Sequence, residues 1–92
     1  MKTTTDTIIR YDLVRTRSHG RQSRVETFDD ERQALDAFER LARRRRGVYL
    51  HAFRWHLTSM LDDWTGEPLW APEARAFATW DRERQQWRER SA

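Results

Sequence analysis

The sequence contains no cysteine among its 92 residues. This absence excludes a disulfide framework, a thiolate metal site and a cysteine nucleophile. The first fifteen residues also contain no apolar segment of the kind that a signal peptide needs. Because reducing compartments are where proteins without disulfides are ordinarily found, we expect a cytoplasmic protein.

Glycine and long apolar runs are scarce as well. With only three glycines, the chain has no glycine-rich loop that could hold a nucleotide phosphate. No uncharged stretch approaches the roughly 20 residues that a membrane span requires, so we expect no membrane partner. The chain is also short, and it has little room for both a hydrophobic core and a substrate pocket. We therefore predict a protein that is not an enzyme and uses no cofactor.

The residues that could bind a metal are few and badly spaced. His51 and His56 are five positions apart, which places them on opposite faces of a strand. The acidic segment 62–67 lacks the alternating oxygen ligands and the final glutamate of a calcium loop. We expect no metal site. The alternative of a small enzyme requires one of the two histidines to meet a carboxylate in a cleft.

The charges that are present alternate in blocks. Seventeen of the 18 basic residues are arginine, and the net charge is +3. Residues 10–24 carry +4, residues 25–39 carry −5, residues 40–54 carry +6, residues 55–74 carry −4 and residues 75–92 carry +2. Such a surface favours a partner of matching charge pattern over generic attraction to nucleic acid.

The first half of the chain has clear local signals. Residues 7–17 and 22–28 are rich in β-branched residues and predict two antiparallel strands joined by a turn at Ser18-His19-Gly20. A single apolar stripe predicts a helix over 30–46, with acids at its start, arginines at its end and Gly47 as the terminating residue.

The second half is predicted from weaker signals. Residues 48–57 are apolar on both faces and predict a strand, while 62–67 predict a turn and 68–70 a short edge strand. Good helix formers over 73–90 predict a second helix that contains tryptophan. The prediction is thus one α+β domain over 1–92, a small antiparallel sheet in the order β-β-α-β-β-α. We expect residues 1–6 and 91–92 to fray.

Aromatic residues on the predicted strand 48–57 pose a question about the sheet. Tyr49, Phe53 and Trp55 share one face, which with the adjacent Arg54 suits base stacking if that face is open. The other possibility is that the last helix covers this face with Phe77, Trp80 and Trp87. Because an exposed patch of several aromatic rings lowers solubility, the covered arrangement is favoured.

Arginines make two candidate binding patches. The first surrounds the predicted hairpin turn, and the second lies at the end of the first helix. With the aromatic strand, the candidate partner-binding residues are Arg15, Arg17, Arg21, Arg24, Arg43, Arg44, Arg45, Arg46, Arg54 and Trp55. A solvated surface that complements the helix dipole and protects an edge strand is the simpler explanation of these arginines.

The predicted β-β-α-β-β arrangement resembles that of small phage and mobile-element proteins, including some anti-CRISPR inhibitors. It is formed by residues 7–17, 22–28, 30–46 and 48–57 and by the turn at Thr65-Gly66-Glu67. The similarity is one of topology and brings no motif, so no functional residue is carried over. The resemblance implies a non-catalytic protein that occupies a surface of a nucleoprotein complex.

These observations predict a small binding or modulator protein that engages an acidic or mixed-charge protein or nucleoprotein surface through arginines and aromatic residues. Direct nucleic-acid binding is the alternative. A structural homodimer and a small enzyme are the remaining possibilities.

Overall fold

The computed structural model describes residues 6–90, which form one α-helix and six β-strands. The terminal segments 1–5 and 91–92, where fraying is predicted, lie outside the described residues. The elements in chain order are β1 (Thr7–Thr16), β2 (Gln22–Phe28), α1 (Glu31–Ala42), β3 (Val48–Leu61), β4 (Pro68–Pro72), β5 (Ala78–Asp81) and β6 (Gln86–Glu89). A single 3-10 turn, Ser18–Gly20, joins β1 to β2. Within the described residues, no helix is long and apolar enough to cross a membrane.

All six strands belong to one antiparallel sheet with β3 at its centre. The order is β2-β1-β3-β5-β6, and β4 also pairs with β3. Val48 to His56 of β3 pair with β1 on one side. On the other side, β5 pairs with the early part of β3 and β4 with its end. Because β3 is 14 residues long, its last residues continue beyond β1 as a hairpin with β4.

Helix α1 packs on one face of this sheet, as its apolar stripe predicts. Ala34 and Phe38 are buried against Leu13 of β1 and Leu50 of β3. The Asp30 side chain accepts a hydrogen bond from the Gln33 N–H at 3.1 Å, which satisfies one of the free donors at the helix start. The sheet and this helix confirm the α+β class.

The first helix is shorter than predicted. It ends at Ala42, and the N–H groups of Arg44 and Arg45 both donate to the carbonyl of Leu41 in a tightened last turn. The chain then reverses at Gly47, whose φ of +70° is readily available only to glycine. The arginine run 43–46 therefore lies in the connection to β3 and not on the helix.

The predicted second helix over 73–90 is wrong. The segment forms β5 and β6, so the β-β-α-β-β-α layout is also wrong. Trp80 and Trp87 are direct cross-strand partners, and their rings meet edge to face with centroids 5.3 Å apart. Both rings pack against the core under α1, and Trp87 Nε1 donates to Glu31 Oε1 at 2.7 Å. Burial of these two rings overrides the helical propensity of the surrounding residues.

Candidate functional site

The face of the sheet opposite α1 carries a row of aromatic side chains on β3. We call this row the open face; it consists of Tyr49, His51, Phe53 and Trp55. These residues alternate with Leu50 and Ala52, which point into the core. No helix of residues 6–90 packs over the row, because α1 lies on the other side and every strand belongs to the one sheet. The expectation that a last helix covers this face is therefore wrong. Tyr49 is the exposed member of the row, and the other three are half-buried. Gln22 Oε1 lies 3.3 Å from His51 Nε2, and Arg10 lies over the Trp55 ring.

The two rings at the start of the row, Tyr49 and His51, are parallel to each other. Tyr49 is 41% exposed, and its ring is stacked on that of His51 with an angle of 4° and a centroid separation of 6.1 Å. His51 is held by Thr79 Oγ1, 2.8 Å from its Nδ1. Burial lowers the pKa of His51 below 6.5, an effect that the nearby Asp12 opposes. Burial thus favours the uncharged form of His51, which suits stacking.

The other end of the row carries a cation above an aromatic ring. The Arg10 guanidinium lies 4.6 Å from the centre of the Trp55 ring. Arg10 Nε is also 2.9 Å from Asp29 Oδ1, so this cation is partly neutralised. Arg10 thus contributes more to holding Trp55 in place than to attracting a distant anion.

Beside Tyr49 the sheet opens into a cleft between the end of α1 and the hairpin of β5 and β6. This cleft has a volume of about 640 Å³, and we call it the arginine cleft. Phe38, Val48 and Trp80 form its apolar part. Its charged lining consists of Arg45, Arg46, Arg82, Arg84 and Arg88, with Asp81 and Glu83.

The arginines of the cleft differ in whether they already have an anionic partner. Arg82 Nε lies 3.3 Å from Glu39 Oε1, and an Arg88 terminal nitrogen lies 2.9 Å from Asp81 Oδ2. Among residues 6–90, no carboxylate lies within 4 Å of the guanidinium groups of Arg45, Arg46 or Arg84. These three guanidinium groups are free to bind an external anion such as a phosphate.

The hairpin between β5 and β6 positions the cleft's second wall. Asp81 Oδ1 accepts a hydrogen bond from the Arg84 N–H, and this bond together with that from the Arg88 side chain lowers the pKa of Asp81. Gln85 completes the turn with a φ of +54°. The ionised Asp81 therefore fixes the turn that presents Arg82 and Arg84 to the cleft.

A second groove lies next to the arginine cleft on the open face. This groove has a volume of about 510 Å³, and His51 and Phe53 are among its lining residues. Thr79 and Arg88 line both cavities. The cationic cleft and part of the aromatic row are thus neighbours on the surface.

The four arginines of the predicted run do not share one site. Arg45 and Arg46 line the arginine cleft. Arg43 lines a separate shallow depression with Asp36, Glu39 and Arg40, while Arg44 lines neither of these cavities. The sequence pattern does not distinguish the four residues, because the turn that follows α1 sets the direction in which each arginine side chain points.

The arginines of the first hairpin do not join this cleft. Arg17 Nε donates to Ser23 Oγ at 2.8 Å, and Arg21 and Arg24 are exposed. Arg15 is half-buried opposite Val48, and its Nε has no hydrogen-bond partner among the described residues. None of these four lines the arginine cleft. Arg24 pairs with Val14 and Arg15 with Ser23 in the β1–β2 ladder, so Arg24 and Arg15 lie on opposite faces of the sheet and the four do not make one patch.

Arg54 and Trp55 point to opposite faces of the sheet. Arg54 lies over the Phe77 ring at 4.1 Å and 3.9 Å from Glu73, on the side of the sheet that carries α1. It does not contribute to the surface that contains Tyr49, Phe53 and Trp55, contrary to the expectation from its position in the sequence.

Sequence reasoning missed the contribution of Arg82, Arg84 and Arg88. Assigning 73–90 to a helix distributed these residues around its surface. The alternation of Thr79-Trp80-Asp81 and Gln86-Trp87-Arg88 about a polar segment was the available signal for a hairpin.

A histidine does meet a carboxylate, as the enzyme alternative requires. His56 Nε2 lies 2.6 Å from Glu73 Oε2, and Thr7 Oγ1 lies 3.2 Å from His56 Nδ1. Thr7 and His56 are direct partners in the β1–β3 ladder, so their contact follows from strand pairing. Both members of the His56–Glu73 pair are more than one-third exposed. Among residues 6–90, no group of three or more histidines or acids is placed to hold a metal ion.

No protein-family model matches the chain, and no curated protein or solved structure matches it. The resemblance to anti-CRISPR-like proteins therefore stays a prediction.

Proposed function

We propose that this protein is a non-enzymatic binding protein that holds single-stranded nucleic acid along β3. Bases stack on the open face, and the backbone phosphates are bound by arginines of the adjoining cleft. The observation that carries this proposal is that exposed Tyr49 of the aromatic row lines a cleft whose Arg45, Arg46 and Arg84 lack carboxylate partners among the described residues.

The aromatic row favours single strands over duplexes. Stacking requires bases whose faces are accessible, and in a duplex those faces are occupied by neighbouring base pairs. Alternate residues of a strand lie about 6.6 Å apart, so successive rings of β3 offer separate positions to successive bases. Stacking tolerates every base, and we therefore expect little sequence preference.

Affinity measurements on one side chain test the stacking part. A fluorescently labelled 12-nucleotide single strand of mixed sequence is titrated with the wild-type protein and with Tyr49→Ala and Tyr49→Phe, and anisotropy is recorded. Removing one stacking ring costs about 1–3 kcal/mol, which weakens binding roughly 5- to 150-fold. Tyr49→Phe keeps the ring and should bind as the wild-type protein does.

The same strand annealed to its complement provides the comparison with duplex. We expect weaker binding of the duplex and little effect of Tyr49→Ala upon it. Equal binding of duplex and single strand, or a Tyr49→Ala variant with wild-type affinity for the single strand, contradicts stacking on the open face.

A protein or nucleoprotein surface is the second candidate partner, as for the anti-CRISPR-like proteins that the topology resembles. It is favoured by the arginines that are already paired with carboxylates, such as Arg10 with Asp29 and Arg88 with Asp81. Such mixed charge suits a partner that also carries both signs. Failure of the single strand to bind even at low salt leaves this candidate as the better one.

A further inference from the structure

The end of the β3–β4 hairpin is an exposed apolar projection. We call residues 60–67 the hairpin tip. Met60 is 68% exposed, Leu61 58% and Trp64 96%. The strand β1 pairs with β3 only as far as His56, so the tip extends beyond the helix-covered part of the sheet. Large apolar side chains concentrated at one exposed place are typical of a contact surface.

The tip is acidic as well as apolar. Asp62, Asp63 and Glu67 lie within it, and no basic residue occurs between Leu57 and Ala74. Asp63 and Glu67 are exposed. A surface that accepts this tip must therefore offer both an apolar contact and positive charge.

Hydrogen bonds hold the tip in one shape. Asp62 Oδ1 accepts from the N–H groups of Trp64 and Thr65 at 2.8 and 3.0 Å, and these bonds lower the pKa of Asp62. The Asp62 N–H donates to the Glu67 carbonyl at 2.8 Å. A projection ordered before contact loses less conformational entropy when it binds.

The arginine cleft has the complementary chemistry. Its apolar wall contains Phe38 and Trp80, and Arg45, Arg46 and Arg84 lack carboxylate partners among residues 6–90. An indole ring can enter the cleft against the apolar wall and beneath a guanidinium group. The carboxylates beside that ring then reach the free arginines.

The cleft and the tip lie at opposite ends of β3. Val48 lines the cleft, and Leu61 is the last residue of the strand. The separation is about 40 Å at 3.3 Å per residue, comparable to the longest dimension of the molecule, 44 Å. The tip cannot reach the cleft of its own chain.

We propose that the hairpin tip of one copy binds the arginine cleft of a second copy. The contact joins two different surfaces, so a pair of copies keeps one free tip and one free cleft for further association. One tryptophan buries roughly 150–250 Å², and the whole contact is smaller than the usual ~800 Å² per partner. Association is therefore weak and visible only at high protein concentration. The contact occupies the same cleft arginines as the proposed phosphate site, but it needs no nucleic acid and can therefore be tested in its absence.

Sedimentation velocity without nucleic acid, over 10–500 µM protein, tests the contact. Wild-type protein should show a sedimentation coefficient that rises with concentration. The tip variant Asp63→Lys/Trp64→Ala and the cleft variant Arg45→Glu/Arg46→Glu should each remain monomeric. The control Arg43→Glu/Arg44→Glu makes the same charge change outside the cleft and should associate as the wild type does.

Mixing the two deficient variants gives the sharper result. The cleft variant retains an intact tip and the tip variant retains an intact cleft, so an equimolar mixture should form heterodimers and nothing larger. Circular dichroism checks that each variant is folded. Trp64 makes little contact with the rest of the fold at 96% exposure, so the tip variant remains informative even if the cleft variant unfolds. A monomeric wild-type protein, a tip variant that still associates, or a mixture of folded variants without heterodimers overturns the proposal.

Discussion

Replacing Arg45 and Arg46 by alanine should reduce the salt dependence of single-strand binding. Each arginine that neutralises a phosphate releases counterions, which contributes about −0.7 to the slope of log K against log salt concentration on a single strand. Both residues line the cleft without a carboxylate within 4 Å in residues 6–90. We therefore expect the double variant to have a slope less steep by about 1.4.

The expected change is large enough to measure. Between 50 and 200 mM salt, a difference of 1.4 in slope corresponds to about a sevenfold difference in how much affinity is lost. The wild-type protein should therefore lose about seven times more affinity than the variant over this range. Anisotropy titrations of the labelled single strand at five KCl concentrations provide both slopes.

The matched control is Arg43→Ala/Arg44→Ala. It removes the same charge from the same run, but neither residue lines the cleft. Its slope should stay close to that of the wild-type protein. Equal slopes for the two double variants would refute the assignment of phosphates to the cleft and attribute the salt dependence to overall charge.

Two further predictions concern stability, measured by urea unfolding. Gly47→Ala should destabilise the fold more than Gly20→Ala. Both glycines have a positive φ, which costs alanine about 1–2 kcal/mol at either position. Only at Gly47 does an added Cβ also meet a neighbour, Thr16 Cβ at 3.2 Å, and equal losses of stability would contradict this. Burial holds the pKa of His51 below its ordinary 6.5, so the unfolded chain takes up a proton before the folded protein does as the pH falls. The free energy of unfolding should therefore decline below pH 6.5. Between pH 8 and pH 5 the decline should be smaller for His51→Gln than for the wild type, and parallel curves would count against this.

Helix α1 illustrates what local sequence predicts well. Its apolar stripe and the acids at its start are properties of neighbouring residues, and both are found where the pattern places them, with Asp30 as the capping residue. Gly47 has the expected positive φ, but it lies in the connection to β3 and does not terminate the helix. The predicted end at residue 46 was four residues late. The arginine run favours a helix by propensity, but the turn into β3 requires the chain to leave the helix at Ala42.

The segment 73–90 illustrates the opposite case. Trp80 and Trp87 are seven positions apart, a spacing that places them on one side of a helix and, with a suitable turn, also side by side in a hairpin. Alanine, glutamate, glutamine and arginine between them favour the helix. Pairing of Ala78 with Ala52 on β3 decides for strands. That contact is distant in sequence and leaves no local signal.

The candidate site divides in the same way. Side chains of a strand alternate with a period of two, so Tyr49, Phe53 and Trp55 are placed on one face by sequence alone. The absence of cysteine chemistry and the block pattern of charge are likewise read from the sequence. Whether a helix covers the aromatic face, and which arginines meet beside it, depends on where 73–90 packs. That packing involves residues distant in the chain: Trp80 and Trp87 pack against the core under α1, which leaves the opposite face without a covering helix and brings Arg84 to the cleft beside Arg45.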